Sequence, residues 1–126
     1  MRLLDTDILI DILRNHPPAV RWLSIQTEIP LVTGFSAMEL QAGCADKKQV
    51  RAVDDLIRRF ALVWPTENDL QRALDHFTDR RLRYNLGILD SFIGECAVGR
   101  GIILCTFNVK HFQAIAGLKI EQPYVR

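Results

Sequence analysis

Two rhythms of hydrophobic positions alternate along this chain. Short apolar runs of strand length lie at 2–5, 29–33, 61–64, 102–106 and 118–121. Between them, apolar side chains recur every three or four residues, the spacing of a helix that buries one face. The pattern predicts helices over 6–14, 19–26, 36–43, 46–60, 66–84 and 88–98, with a short helical turn at 108–112. In the second helix, opened by Pro17-Pro18, Val20, Leu23 and Trp22 are expected to point inward. In the fourth, the inward set is Val50, Val53, Leu56, Ile57 and Phe60. Gly43 suits a C-cap, and Asn85-Leu86-Gly87 and Gly99-Arg100-Gly101 break the two longest helical patterns. The run at 102–106 is continuous and apolar, as in a strand covered on both faces, and 118–121 reads as an edge strand. Strands alternating with helices predict an α/β sandwich around a mostly parallel sheet.

The chain has 126 residues, enough for one domain spanning 1–126. A net charge of +1 excludes a global field for nucleic acid or membrane, so any polyanion must be held by local patches or by a metal. Cys44, Cys96 and Cys105 are widely spaced and form no Cys-x-x-Cys, which argues for a reducing, cytoplasmic setting and against disulfides or zinc. Asp5 and Asp7 interrupt the N-terminus before a signal-peptide core could form, and no apolar run reaches membrane-spanning length. His16 and His76 are expected at the surface, and Trp22 and Trp64 in a core or interface.

The candidate chemistry lies where predicted strands end. Leu3-Leu4-Asp5-Thr6-Asp7 runs an apolar strand into two carboxylates and a hydroxyl. In open parallel sheets ligands collect just beyond such strand ends, and a carboxylate desolvated there needs a compensating partner. Asp5 also suits a helix N-cap, but a cap does not need a buried strand before it, so it reads as a metal ligand. Asp7 reads as structural, with a supporting role at most. Ser36-Ala37-Met38-Glu39 is a capping-box pattern, yet Glu39 follows the second strand and so shares the sheet edge with Asp5. Asp90 stands at the border of its helix's apolar stripe, facing the seam with the sheet. After the fourth strand come Thr106, which could orient a phosphate, and Asn108, an N-cap or the holder of a water. Hard oxygen donors without His or Cys select Mg²⁺ or Mn²⁺ and suit phosphate chemistry.

Taken together, Leu4-Asp5-Thr6-Asp7 with Leu9-Ile10-Asp11, Ser36-Ala37-Met38-Glu39-Leu40 with Gly43, Asp90-Ser91-Phe92-Ile93, and Leu104-Cys105-Thr106-Phe107-Asn108 with His111-Phe112 resemble the PIN-domain ribonucleases of the VapC-like toxin type. The resemblance covers essentially the whole length. It implies a three-layer sandwich, with a five-stranded parallel sheet flanked by helices, and an acidic pocket for Mg²⁺ or Mn²⁺. Asp5, Glu39 and Asp90 match the family's acidic positions, and Asn108 stands where many members carry a fourth acid. It further implies hydrolysis of RNA phosphodiesters, with Thr6 and Thr106 positioning water or phosphate, a homodimer, and silencing by a VapB-like antitoxin protein.

Three other readings compete. Asp5-Thr6-Asp7 is also the Asp-x-Asp of a haloacid-dehalogenase-like phosphatase, but no late Gly-Asp-x-x-x-Asp accompanies it. A receiver-like signalling domain would need an Asp after the third strand, where Trp64-Pro65-Thr66 stands. A non-catalytic RNA-binding domain is the third. Arg80, Arg81 and Arg83, and the basic residues Lys47, Lys48, Arg51, Arg58 and Arg59, read first as solvated helix faces.

Overall fold

Every strand of the computed structural model is only three residues long, and the sheet is held by what covers it. The structure describes residues 1–126. Chain order is β1 (Arg2–Leu4), α1 (Thr6–Leu13), α2 (Pro17–Ser24), β2 (Leu31–Thr33), α3 (Gly34–Ala42), α4 (Lys47–Ile57), β3 (Ala61–Val63), α5 (Glu67–Tyr84), α6 (Ile88–Arg100), β4 (Ile103–Cys105), α7 (Val109–Phe112) and β5 (Lys119–Glu121). The spatial order is β3-β2-β1-β4-β5, and every neighbouring pair is parallel. The sheet is therefore wholly parallel, and β5 is an edge strand as expected. The strand order reverses at β1, which lies in the middle with β2 on one side and β4 on the other.

Side-chain alternation along the strands divides the core in two. Leu4, Val32 and Cys105 point into a layer with Ile8, Leu9 and Ile12 of α1, Trp22 of α2, Leu40 of α3, and Val53 and Leu56 of α4. Leu3, Leu31 and Leu104 point the other way, onto Ile93, Cys96 and Ala97 of α6, with Phe112 and Ile115. Both faces of the inner strands β1, β2 and β4 are covered, which explains their unbroken apolar runs in the sequence, whereas the edge strand β3 is largely exposed. Truncating a fully buried member such as Leu9 or Ile93 to alanine should cost about 2–5 kcal/mol. Gly94 lets α6 approach closely, since a Cβ there would collide with Ile115.

Outside the sheet, α5 packs on α6 through a buried ionic seam. Glu95, almost fully buried, receives Arg80 at 3.3 Å and Arg72 at 3.5 Å, and Arg72 also holds Asp69 at 2.7 Å. Thr66 and Asp69 form a reciprocal capping box that starts α5.

Several local expectations are corrected. Val20 and Val50 are exposed; α2 buries Trp22 as expected, with Ala19 in the place expected of Val20. β2 starts at Leu31, not Ile29, because Pro30 has no N–H for the ladder, and Ile29 is exposed. The capping box at Ser36 and Glu39 does not form. Thr33 takes the cap, its hydroxyl accepting from Ser36 N at 3.1 Å, so α3 begins at Gly34. His16 is not a surface residue: it packs beside Tyr124, and its Nε2 is buried without a partner. Trp64 is half-exposed, lying flat against Gly34, where no Cβ intervenes, and edge-on to Phe35. Cys96 and Cys105 are buried, whereas Cys44 is only half-buried.

Candidate active site

The carboxyl ends of β1 and β4 are neighbours, and their next residues meet. Asp5 caps α1: its Oδ1 accepts from Thr6 N at 2.8 Å. Its Oδ2 accepts from the Thr106 hydroxyl at 2.8 Å. Thr106 Oγ1 in turn accepts from Asn108 N at 3.0 Å, which bends the chain after β4 back toward the acid. Asp7 reaches the same loop, its Oδ2 accepting from Phe107 N at 2.8 Å and lying 3.4 Å from Thr106 Oγ1, while its Oδ1 accepts from Ile8 N.

On the other side of β1, the start of α3 supplies a hydroxyl relay. The Thr6 hydroxyl lies 2.8 Å from Glu39 Oε1 and 3.0 Å from Ser36 Oγ. A carboxylate can only accept, so Thr6 must spend its single proton on Glu39. Ser36 must then donate to Thr6, and Ser36 accepts in turn from Thr33 across a longer 3.4 Å contact. The charge of Glu39 thus orders a chain of hydroxyls from the cap of α3 to the mouth of the site, and bonds aligned this way reinforce one another.

Asp90, in the first turn of α6, completes the acidic set. It shares a cleft of about 620 Å³ with Glu39, between α3, α5 and the start of α6. Burial, then the charge of Asp7, pushes Asp5 up to about 7, against the pull of the Thr106 hydroxyl. Asp7 is raised too, first by burial, despite the Phe107 and Ile8 amides. Burial and then Glu39 raise Asp90, which His111 partly offsets. Burial is the first cause in all three, and neighbouring carboxylates add to it.

That donor set fits a hard divalent cation: carboxylate and hydroxyl oxygens, an amide, and a surplus of negative charge. No three acidic, imidazole or thiol side chains enclose an ion by themselves. A bound cation would therefore draw on water or substrate oxygens to complete its shell, as Mg²⁺ commonly does.

Among the residues singled out in the sequence, Asp5 joins directly with Thr106, Thr6 joins with Glu39, and Glu39 and Asp90 line one cleft. Asn108 sits at the N-cap position of α7, exposed, and its side chain makes no cap hydrogen bond. Asp7 ties α1 to the loop after β4, a structural contact in keeping with its expected role, whereas sequence reasoning missed the relay through Ser36. The Ser-x-x-Glu spacing was visible, but only the fold brings Thr6 against it.

A tRNA(fMet)-specific endonuclease VapC of Salmonella typhimurium is 27% identical over 128 residues, covering 94% of this chain and 95% of that protein. Among solved structures, a toxin–antitoxin complex from Klebsiella pneumoniae superposes with a TM-score of 0.78 at 24% identity, over 98% of both chains. A DNA-bound VapBC from Salmonella typhimurium superposes with a TM-score of 0.77 at 23% identity, covering 95% of this chain and 96% of that one. These superpositions establish the three-layer fold. The PIN domain pattern itself matches residues 2–118, from the first residue of β1 to the residue before β5, and takes in all the carboxylates gathered at the strand ends. On that match the chain belongs to the PIN domain family.

Proposed function

We propose that the protein is a metal-dependent endoribonuclease, the toxin of a toxin–antitoxin pair that acts on RNA in the cytoplasm. The observation that carries this reading is the gathering of Asp5, which is buried, with half-buried Asp7 and Asp90 at the switch point of a parallel sheet, none of them in an ion pair. Perturbed carboxyls in a strand-end cleft mark a functional site, and a divalent cation would supply the counter-charge they lack. The VapC relative is a tRNA-specific endonuclease, and the solved neighbours are toxin–antitoxin complexes, which supports the substrate class and a VapB-like antitoxin partner. A homodimer is part of the same reading. So is an antitoxin segment in the mainly apolar groove of about 490 Å³ that leads from Thr6 and Glu39 along Ile10, Leu13 and Leu40.

In this proposal Asp5, Asp90 and Glu39 hold Mg²⁺ or Mn²⁺. When bound, the cation supplies an acidified water and offsets charge on the departing oxygen. Asp5 is oriented for this by Thr106 and by the Thr6 amide, and Glu39 by the Thr6 hydroxyl. Thr106 keeps the Asp5 oxygen aimed, and the free Asn108 amide faces solvent where a phosphate or water can be met. The phosphatase alternative needs Asp7 as a mobile acid, but its oxygens are tied to the Ile8 and Phe107 amides. The receiver alternative still lacks an acid after β3.

Inducible expression of wild type beside Asp90→Asn tests the reading, with growth and total RNA followed, together with Mn²⁺-dependent cleavage by the purified proteins. Growth arrest and RNA fragments confined to wild type are expected. Harmless wild-type expression without Mn²⁺-dependent cleavage would overturn the proposal.

A further inference from the structure

The arginines at 80, 81 and 83 fall within four residues but have three different fates. Successive residues of an α-helix turn by about 100°, so the three point in different directions from α5. Arg80 is buried and pairs with Glu95. Arg83 is exposed and pairs with Asp79 on its own helix at 2.8 Å. Arg81 makes no ion pair. Its Nη1 donates to the side-chain oxygen of Asn85 at 2.6 Å, and Asn85 is held in the left-handed region at φ 58° at the end of the helix. A neutral amide orients the guanidinium without neutralising it. One nitrogen is used, and the Nε–Nη2 edge stays free. That edge is the fork that matches two phosphate oxygens.

Arg81 lines the same cleft as Glu39 and Asp90, with Phe77, Ile88 and Leu89 forming an apolar wall. The cleft is therefore lined by two acids, one arginine outside any ion pair, and an aromatic ring among apolar neighbours. We infer that this cleft is the binding subsite for the nucleotide next to the scissile phosphate, with Arg81 gripping that nucleotide's phosphodiester and Phe77 taking its unstacked base. The inference rests on the ribonuclease reading and specifies how single-stranded RNA is held. An arginine lining the same cleft as two carboxylates would attract a polyanion to a site whose own acids repel it. An aromatic face accepts any base, so the subsite supplies affinity with little sequence preference. A base inside a duplex could not reach Phe77, so unpaired RNA is the ligand class.

The test is steady-state cleavage of a short single-stranded RNA with Mn²⁺ across a range of salt, using wild type, Arg81→Ala, Arg81→Lys, Arg83→Ala and Phe77→Ala. Circular dichroism confirms that each variant is folded. Alanine and lysine are both good helix formers, so α5 tolerates the changes at the exposed positions. Arg81→Ala is expected to raise KM about 10-fold with kcat within about twofold, and to flatten the slope of log(kcat/KM) against log(salt) by about 0.7, the loss of one phosphate contact on single-stranded nucleic acid. Arg81→Lys recovers the slope but only part of KM, since a point charge replaces a fork. Phe77→Ala raises KM without moving the slope, and Arg83→Ala matches wild type. Wild-type KM and slope in Arg81→Ala would overturn the subsite while leaving the ribonuclease reading intact. So would an equal effect from Arg83→Ala, which would mean diffuse attraction. Unchanged KM with weakened binding of an acidic peptide would assign the cleft to a protein partner instead. Absence of any wild-type cleavage would remove the ribonuclease reading and this inference with it.

Discussion

Asp7 and Asp11 stand one turn apart on α1, and the protein treats them in opposite ways. Asp11 is buried beside Tyr124 and Arg126. Burial pushes its carboxyl up, but the Arg126 fork, at 3.0 and 3.1 Å, and the Tyr124 hydroxyl, at 2.7 Å, outweigh it and leave the group below its ordinary value. Asp7 is half-buried and receives backbone amides but no directly bonded arginine, and it ends above the ordinary value, as do Asp5 and Asp90. The same side chain on the same helix is thus a finished structural contact at one position and an unfinished one at the other. Burial alone does not decide which way a carboxyl shifts; a directly bonded counter-charge does.

The sharpest break in that comparison is to remove one charge from each cluster. Asp5→Asn should lower Mn²⁺-dependent RNA cleavage by at least about two orders of magnitude, while thermal melting without metal shows the variant at least as stable as wild type. Asp11→Asn should do the reverse. It costs about 1–2 kcal/mol, discounted because Arg126 is half-exposed, and leaves kcat close to wild type. Equal loss of activity in both variants would erase the distinction.

Ser36→Ala probes the relay on the other flank of the site. Removing the hydroxyl that holds Thr6 toward Glu39 should weaken the apparent affinity for Mn²⁺ about 10-fold, the scale of a lost supporting contact. KM for RNA should stay unchanged. An unaltered Mn²⁺ titration would make the relay a helix-start feature only.

A pH series of melting curves reads both clusters at once. Raised carboxyls favour folding fully only below their unfolded value of 3.8, and that contribution is lost as pH rises through the folded value, about 7 for Asp5. Without divalent cation, Tm should therefore fall by roughly 5 °C between pH 4 and pH 8, and Mn²⁺ at pH 8 should restore it. Asp5→Asn should flatten this limb. The depressed carboxyl of Asp11 acts on the opposite limb: its contribution is present above 3.8 and lost as pH falls below it. The smallest effect expected is from Arg126→Lys, which keeps the charge but loses the fork. It should shift only that acid limb, by less than about 1 kcal/mol.

The fold was legible because its signal is redundant. Strands buried on both faces must be continuously apolar, and 102–106 and 2–5 could not easily be anything else. The acids were legible because each follows or borders such a run. What escaped was set by contacts across long sequence separations. Ser36-x-x-Glu39 looks like a local capping box until Thr33 takes the cap and Thr6, thirty residues earlier in the chain, takes the glutamate. The roles of Arg80, Arg81 and Arg83 depend on Glu95, Asn85 and the cleft wall, none of which is encoded in a run of basic residues. Val20 was misjudged because helical spacing gives the period of a buried stripe but not its phase, and Ala19 set the phase.

β1 is the first strand made and β4 the fourth, yet they are hydrogen-bonded partners, and the Asp5–Thr106 contact spans 101 positions of chain. At about 5–20 residues per second of translation, roughly 5–20 s separate the emergence of these two residues from a ribosome. For an enzyme of the kind proposed, every partly made copy is harmless by construction. The machine that synthesises a would-be RNA cutter is shielded from it until the segment carrying Thr106 has been made, and an inhibitor has that interval to be present first.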